Sequence, residues 1–522
     1  MPPAAAATKA PNACKNCRVR KKKCDKVMPN CGYCVRKELK CGYLWPSYHA
    51  PPTVKSIRDV SPPRDANPSP DKPCPPASDA LRGPRVPPAP TFYQTPLICD
   101  LSGIGAEVHR LIGLTGLYVD DITTRYFQTS HRHLPIISRR RFQRSIFALG
   151  AGHGSGPGPD VAVLLLVMCL ITHGSCVDPQ PRDGVKEAVD YRYLYLAAKS
   201  LLAQATVAVT PSVPLIQAGL LLAIHEYVQG RPEDAFVTIT GCARMAHRAG
   251  LHTRSSELWQ RPRGSTCDAA ETDLWLQDEE AANTWWGIVV YERLLLCEMP
   301  SHQEPLITSF PHGEARLPVE RDILDHTGNL DPGAIPSISM SSLSREQVGG
   351  FARAAQASCL LDQVIGSLGT ADVNAKLLQL DGLDSALQAF LSLVFPQCCG
   401  EWGIFCPAIS ISLRAMFKLH WHILHLPAQR ICAKLKSMDD WRKSSRAAMD
   451  TVTKMFLEVI ELHRGLPAPL LAATPPSRAY IARAGLRHIY ASEGWEDTPW
   501  LLSAEERLRA YVEKCRVNPG AT

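Results

Sequence analysis

No run of apolar residues in this chain is long enough to cross a bilayer. The longest, Val161 to Thr172, spans 12 residues, where a membrane helix needs roughly 20. The opening MPPAAAATKA has no apolar core of the secretory kind, so a soluble intracellular protein is the expectation. Acidic residues are nearly missing from the first tenth of the chain. Residues 1–48 carry eleven Lys/Arg against two Asp/Glu, a net +9, so that within a total of +7 the remainder sums to −2. Charge so concentrated predicts a nucleic acid or another acidic partner at this end. Regular cysteine spacing is absent beyond residue 41. Of 19 cysteines, thirteen are scattered, mostly through apolar segments, as small buried hydrophobes are. A reducing compartment excludes a disulfide framework. No acid–base pair or nucleophile constellation stands out, which argues against an enzyme.

The remaining six cysteines are ordered. Cys14, Cys17, Cys24, Cys31, Cys34 and Cys41 read C-x2-C-x6-C-x6-C-x2-C-x6-C, and the first three recur 17 residues later as the last three. Thiolates are soft ligands for tetrahedral zinc, and a C-x2-C pair can place both sulfurs on one ion. One zinc on Cys14, Cys17, Cys31 and Cys34 would leave Cys24 and Cys41 idle, and two separate zincs would need eight ligands. Two zinc ions sharing two sulfurs use all six. The pseudo-symmetry gives the shared positions to Cys14 and Cys31, the first cysteine of each half. An all-thiolate site is closed to water and substrate, so the zinc is structural. About thirty residues cannot form a hydrophobic core, and metal binding supplies the folding energy instead. The run CRVRKKKC, Cys17 to Cys24, places five basic side chains in six positions between two of these ligands. Their charge offsets the excess negative charge of six thiolates on two zinc ions.

The stretch ACKNCRVRKKKCDKVMPNCGYCVRKELKCGY, Ala13 to Tyr43, resembles the fungal zinc binuclear cluster family of transcription factors. That resemblance also makes Cys14 and Cys31 the bridging pair. It implies two zinc ions per chain, double-stranded DNA and the transcription machinery as partners, and a nuclear location. In the family a short helix after the second cysteine enters the major groove and reads a CGG triplet, which puts Arg20 and Lys21 at the base-reading positions. Arg or Lys donating to guanine is the commonest specific contact. Arg20 stands where family members often have lysine, and its fork can bond bidentately. Arg18, Lys22 and Lys23 are assigned to phosphates, which position the module without reading sequence. Pro29 matches the family's loop proline, which orders the chain between the halves, often through a cis bond. The sequence does not fix its isomer here.

From Pro46 to Pro90, 14 of 45 residues are proline. Such a segment cannot bury enough apolar surface to fold, and 44–100 is expected to be a disordered tether. Many family members carry a coiled coil after the cluster, but no apolar heptad follows it here. A homodimer through later helices and a monomer both stay open. Beyond about residue 100 a 3.6-residue apolar period dominates and strand signals are sparse. The expected class is mainly all-α. A two-zinc module occupies 12–43, a large α-helical regulatory domain 115–400, and a helical C-terminal region 401–516.

Three stretches resemble the middle homology region that accompanies such clusters. They are RYFQTSHRHLPII with Tyr126, Phe127, His131 and Pro135, the segment Leu215–His252, and EEAANTWWGIVVYERLLL with Trp285, Trp286 and Arg293. The resemblance implies a regulatory domain in a pathway-specific regulator of a metabolic or secondary-metabolite gene cluster. Other imitations are set aside. HEYVQ, from His225, has Gln229 where a zinc-protease helix needs its second histidine. His131 and His133 read as packed or solvated histidines. The glycine-rich Gly150–Asp160 follows a helical stretch rather than a strand and is a loop. EGWEDTPWLL (493–502) mixes acids with Trp495 and Trp500, as activation segments do, although a loop leading into a helix accounts for it better. The competing function is a helical adaptor whose zinc cluster grips other proteins. Steep salt dependence of binding would separate DNA from that role.

Overall fold

In the computed structural model the described residues are 17, 20–26, 31–37, 101–147, 158–173, 190–253, 269–299, 304–311, 314–326, 335, 337–343, 348–398, 403–427, 436–464 and 477–515. They belong to two compact units, Met1–Pro87 and Pro88–Thr522. Cys14, Arg18, Pro29, Cys41 and the proline-rich 44–100 segment lie outside them. In the first unit a five-residue helix, α1 (Gly32–Arg36), begins directly after Cys31. So short a helix has no stability of its own.

The second unit is helical, and among its described residues no strand forms; Arg316 and Ser339 make one isolated bridge. Its first half contains α2 (Leu101–Thr115), α3 (Val119–Gln128), α4 (Arg139–Phe147), α5 (Pro159–His173), α6 (Tyr191–Ala208), α7 (Val213–Val228) and α8 (Pro232–Arg248). The most apolar of these, α5 and α7, are buried on nearly every face, as expected of helices without a polar side. Around them pack α2, α3, α6 and α8. At the α7–α8 contact Gly219 lies so close to the Cys242 sulfur that no β-carbon would fit. Starts are marked chemically: the Ser212 hydroxyl accepts from the Leu215 amide ahead of α7, and Pro232 with Glu233 and Asp234 opens α8.

A 28-residue helix, α9 (Ala269–Leu296), buries Trp285 and Trp286. It packs on α7 and α8 and also on the first long helix of the second half. That half comprises a short α10 (Arg321–Leu324), then α11 (Gly350–Leu368), α12 (Val373–Val394), α13 (Cys406–His425), α14 (Met438–Arg464), α15 (Ser477–Ala491) and α16 (Pro499–Cys515). Here α11 and α13 form the central pair, with α12, α14 and α15 set against α13. One hydrophobic core runs through both halves. Among the described residues no helix is long and apolar enough to cross a membrane.

Ahead of the 115–400 segment, α2 buries Ile104, Val108, Leu111 and Ile112 in the same core. Residues 493–502 form a 3-10 turn, Trp495–Asp497, followed by the start of α16. Both tryptophans pack on the core, and Lys454 sits 4.5 Å above the Trp500 ring.

Glu320 supplies a pH-dependent joint. Its carboxylate accepts from the Phe351 and Ala352 amides, 3.4 and 3.1 Å away, at the start of α11. Gly349 lacks the β-carbon that would strike it. Burial outweighs these bonds and pushes the carboxyl up to about 7. The unfolded chain releases this proton near the ordinary glutamate value of about 4.3. Between those limits the folded state binds more protons, so this group's contribution to stability falls as pH rises through about 7. Glu320→Gln should therefore raise stability at pH 8 by about 1–2 kcal/mol, discounted for residual contact with water, and do little at pH 4. Denaturant titrations at both pH values measure this; equal effects at both would contradict it.

Candidate metal centre and nucleic-acid interface

Local geometry in the first unit is set by its cysteines. Cys17, Cys31 and Cys34 are buried and Cys24 is partly so. The sulfurs of Cys17, Cys24 and Cys31 all lie within 4.8 Å of one another, and Cys17 Sγ is 3.6 Å from Cys31 Sγ. Tetrahedral zinc with bonds of about 2.3 Å places its thiolates about 3.8 Å apart, so this donor set fits zinc in both chemistry and spacing. Two of the three sulfurs come from the first half of the repeat and one from the second. The Cys31 sulfur also caps α1, accepting from the Cys34 amide at 3.4 Å. Cys34 lies in the same buried cluster but outside the three-sulfur group.

The basic run behaves differently from a continuous helix. Cys17 is helical, but Lys22–Lys26 are not. The Lys22 amide donates to the Cys17 carbonyl at 2.9 Å, and Lys21 has φ +49°. A six-to-one bond around a left-handed residue is how a helix closes at its C-terminal end, a place usually given to glycine. The expected recognition helix therefore stops at the residues meant to read bases. Arg20, Lys21, Lys22 and Lys23 are all exposed.

Asp25 is a participant that the sequence reading missed. Its carboxylate takes the Gly32 amide with both oxygens, at 2.9 and 3.1 Å. Gly32 has no room for a β-carbon beside that carboxylate. Asp25 follows Cys24 and Gly32 follows Cys31, so this bond ties the two halves together apart from any metal. A negative group at the first amides of α1 also suits the helix dipole. The available signal was a single acid within a strongly basic run.

Elsewhere the imitations prove to be packing. His225 is buried, with Tyr191 Oη 2.9 Å from its Nε2, and burial pushes its ring down to about 3, so it stays neutral. His131 is buried with Nε2 3.1 Å from Asp325, and His133 is buried nearby in sequence. Gly150–Asp160 falls largely outside the described residues.

Comparison with known proteins bears on both units. Residues 12–48 match the model of the fungal Zn(2)-Cys(6) binuclear cluster domain, and residues 123–299 match that of the fungal specific transcription factor domain. Over 139 residues the chain is 32% identical to transcription factor BOA15 of Botryotinia fuckeliana (strain B05.10), a stretch covering 26% of this chain and 70% of that protein. No solved structure matches.

Proposed function

Because the chain belongs to the fungal zinc-cluster transcription factors, we propose that it reads CGG-type triplets in double-stranded DNA as a pathway-specific nuclear regulator. The observation that carries this reading is the convergence of Cys17, Cys24 and Cys31 beside an exposed run from Arg20 to Lys23. Two zinc ions would be held by Cys14, Cys17, Cys24, Cys31, Cys34 and Cys41, with Cys14 and Cys31 shared. Zinc supplies the cross-link that lets so small a unit fold. The contact of the Cys31 sulfur with Cys17, across the two halves, supports its sharing.

Arg20 and Lys21 are assigned to guanine edges, and Arg18, Lys22 and Lys23 to phosphates. Family members and the relative are transcription factors, which favours DNA over the adaptor role. Control of a metabolic or secondary-metabolite gene cluster, contact with the transcription machinery and dimerisation through the helical domain complete the proposal.

The backbone at Lys21 decides how its role should be tested. Alanine at φ +49° adds strain of its own, whereas glycine accepts that conformation. Lys21→Gly should lower the preference for CGG over random DNA by about 5- to 160-fold, corresponding to about 1–3 kcal/mol, while binding to random DNA changes little. Gel shifts on both duplexes measure the ratio. Equal losses on both would make Lys21 a phosphate contact and remove the assignment.

A further inference from the structure

Cys406 is the first residue of α13 and is partly exposed. Its sulfur lies 2.6 Å from Nη2 of Arg478, the second residue of α15. Arg478 is buried, with 3% of its surface exposed, and no carboxylate is paired with it among the described residues. Its other terminal nitrogen, Nη1, is buried without a hydrogen-bond partner. Covalent geometry keeps the two terminal nitrogens of a guanidinium side by side, so the unpartnered Nη1 lies within a few ångströms of the sulfur. A buried cation with an orphaned donor is costly, and one thiol cannot satisfy both nitrogens. The N-terminus of α13 adds its own positive end to the site. Partial exposure in an electropositive surrounding distinguishes reactive cysteines from inert ones. Elsewhere in this unit burial pushes the Cys242 thiol up to about 12 and also raises Cys297 and Cys359.

We propose that Cys406 is an oxidation site for hydroperoxides, with Arg478 holding the oxygen that is added. The sulfur attacks one peroxide oxygen, a sulfur–oxygen bond forms, and the oxygen–oxygen bond breaks. Sulfur is oxidised by two electrons to the sulfenic acid. The departing oxygen takes the thiol proton and leaves as water from hydrogen peroxide, or as the alcohol from an organic hydroperoxide. The new oxygen gives Nη1 the acceptor it lacks. The modification falls where α13 meets α15, and α15 in turn is fastened to α7 by the Tyr480 hydroxyl donating to the Tyr227 carbonyl. Oxidation at Cys406 thus alters the α13–α15 contact within the second half, two residues along α15 from its bond to α7.

The test uses the full-length, zinc-loaded protein, limiting hydrogen peroxide and dimedone, with labelling read at each cysteine by peptide mass spectrometry. Cys406 should label about tenfold or more faster than Cys359 and Cys398, which are also partly exposed. Arg478→Gln should slow Cys406 by a comparable factor and leave Cys398 unchanged. Equal rates at the three cysteines in the native protein would overturn the proposal, whether or not the variant folds. So would unchanged labelling of Cys406 in a folded Arg478→Gln protein.

Discussion

Cys31→Ala is expected to cost the protein its specific DNA binding altogether while sparing its helical body. The Cys31 sulfur contacts Cys17 from the other half of the repeat and caps α1 through the Cys34 amide. Its loss would remove a proposed metal ligand and a helix cap together. Structural zinc contributes roughly 10–16 kcal/mol to modules of this kind, far more than a thirty-residue unit can recover by packing. Affinity for a CGG duplex should fall about 1,000-fold or more, to the non-specific level. Zinc per chain, measured by elemental analysis, should fall with it. The body is a separate compact unit and should melt at its usual temperature. Chelation of the native protein should reproduce the effect. A Cys169→Ala control, at a buried thiol within the α5 core, should retain full zinc and affinity. Near-native affinity in Cys31→Ala would remove Cys31 from the metal centre.

The largest effect on the body is expected at Arg293. Its side chain is 1% exposed and its neighbour Glu292 is wholly buried. Arg293 Nε donates to Asp362 at 2.9 Å and Nη2 to the Thr308 carbonyl at 3.0 Å. Glu292 accepts the Ile307 and Thr308 amides at 2.8 and 3.0 Å, and the Thr308 hydroxyl bonds both residues. The pair fastens the 304–311 segment to α9 and, through Asp362, fastens α9 to α11. Arg293→Ala leaves Glu292 buried without its cation. Removing one partner of such a pair costs about 3–5 kcal/mol, more than a substitution at an exposed position. Thermal melting of the body should drop by several degrees. Arg293→Met combined with Glu292→Gln should recover part of the loss, because the orphaned charge is removed as well. Wild-type melting in Arg293→Ala would show that the network contributes nothing.

Legibility differed between the two units for physical reasons. Cysteine spacing revealed the metal centre because zinc imposes ligand number and separation on the chain itself. The end of the recognition helix was hidden. Lys21 has strong helical propensity, and nothing in RVRKKK marks a left-handed residue in the way glycine would. In the body, α5 was visible as an unbroken apolar stretch and α7 as an apolar stretch interrupted by Gln217. The α2 helix was hidden by Gly103, Gly105 and Gly113, which weaken local propensity until Ile104, Val108, Leu111 and Ile112 find the core. The α4 sequence RRRFQRSIF shows hardly any apolar face. It is held by distant acids, with Arg141 bonded to Asp273 and Glu280 and Arg144 to Asp273. Such pairings across more than a hundred residues leave no local period to read.

The most direct test of the account is a DNA titration of the full-length zinc-loaded protein across a series of salt concentrations, on a CGG-containing duplex and a scrambled one. Phosphate contacts by Arg18, Lys22 and Lys23 predict a steep linear fall of log affinity with log salt, each neutralised phosphate adding about 0.9 to the slope. Base reading by Arg20 and Lys21 predicts tighter binding to the CGG duplex at every salt concentration. Binding that ignored salt, or that failed to distinguish the two duplexes, would contradict the assignment of this cluster to sequence-specific DNA.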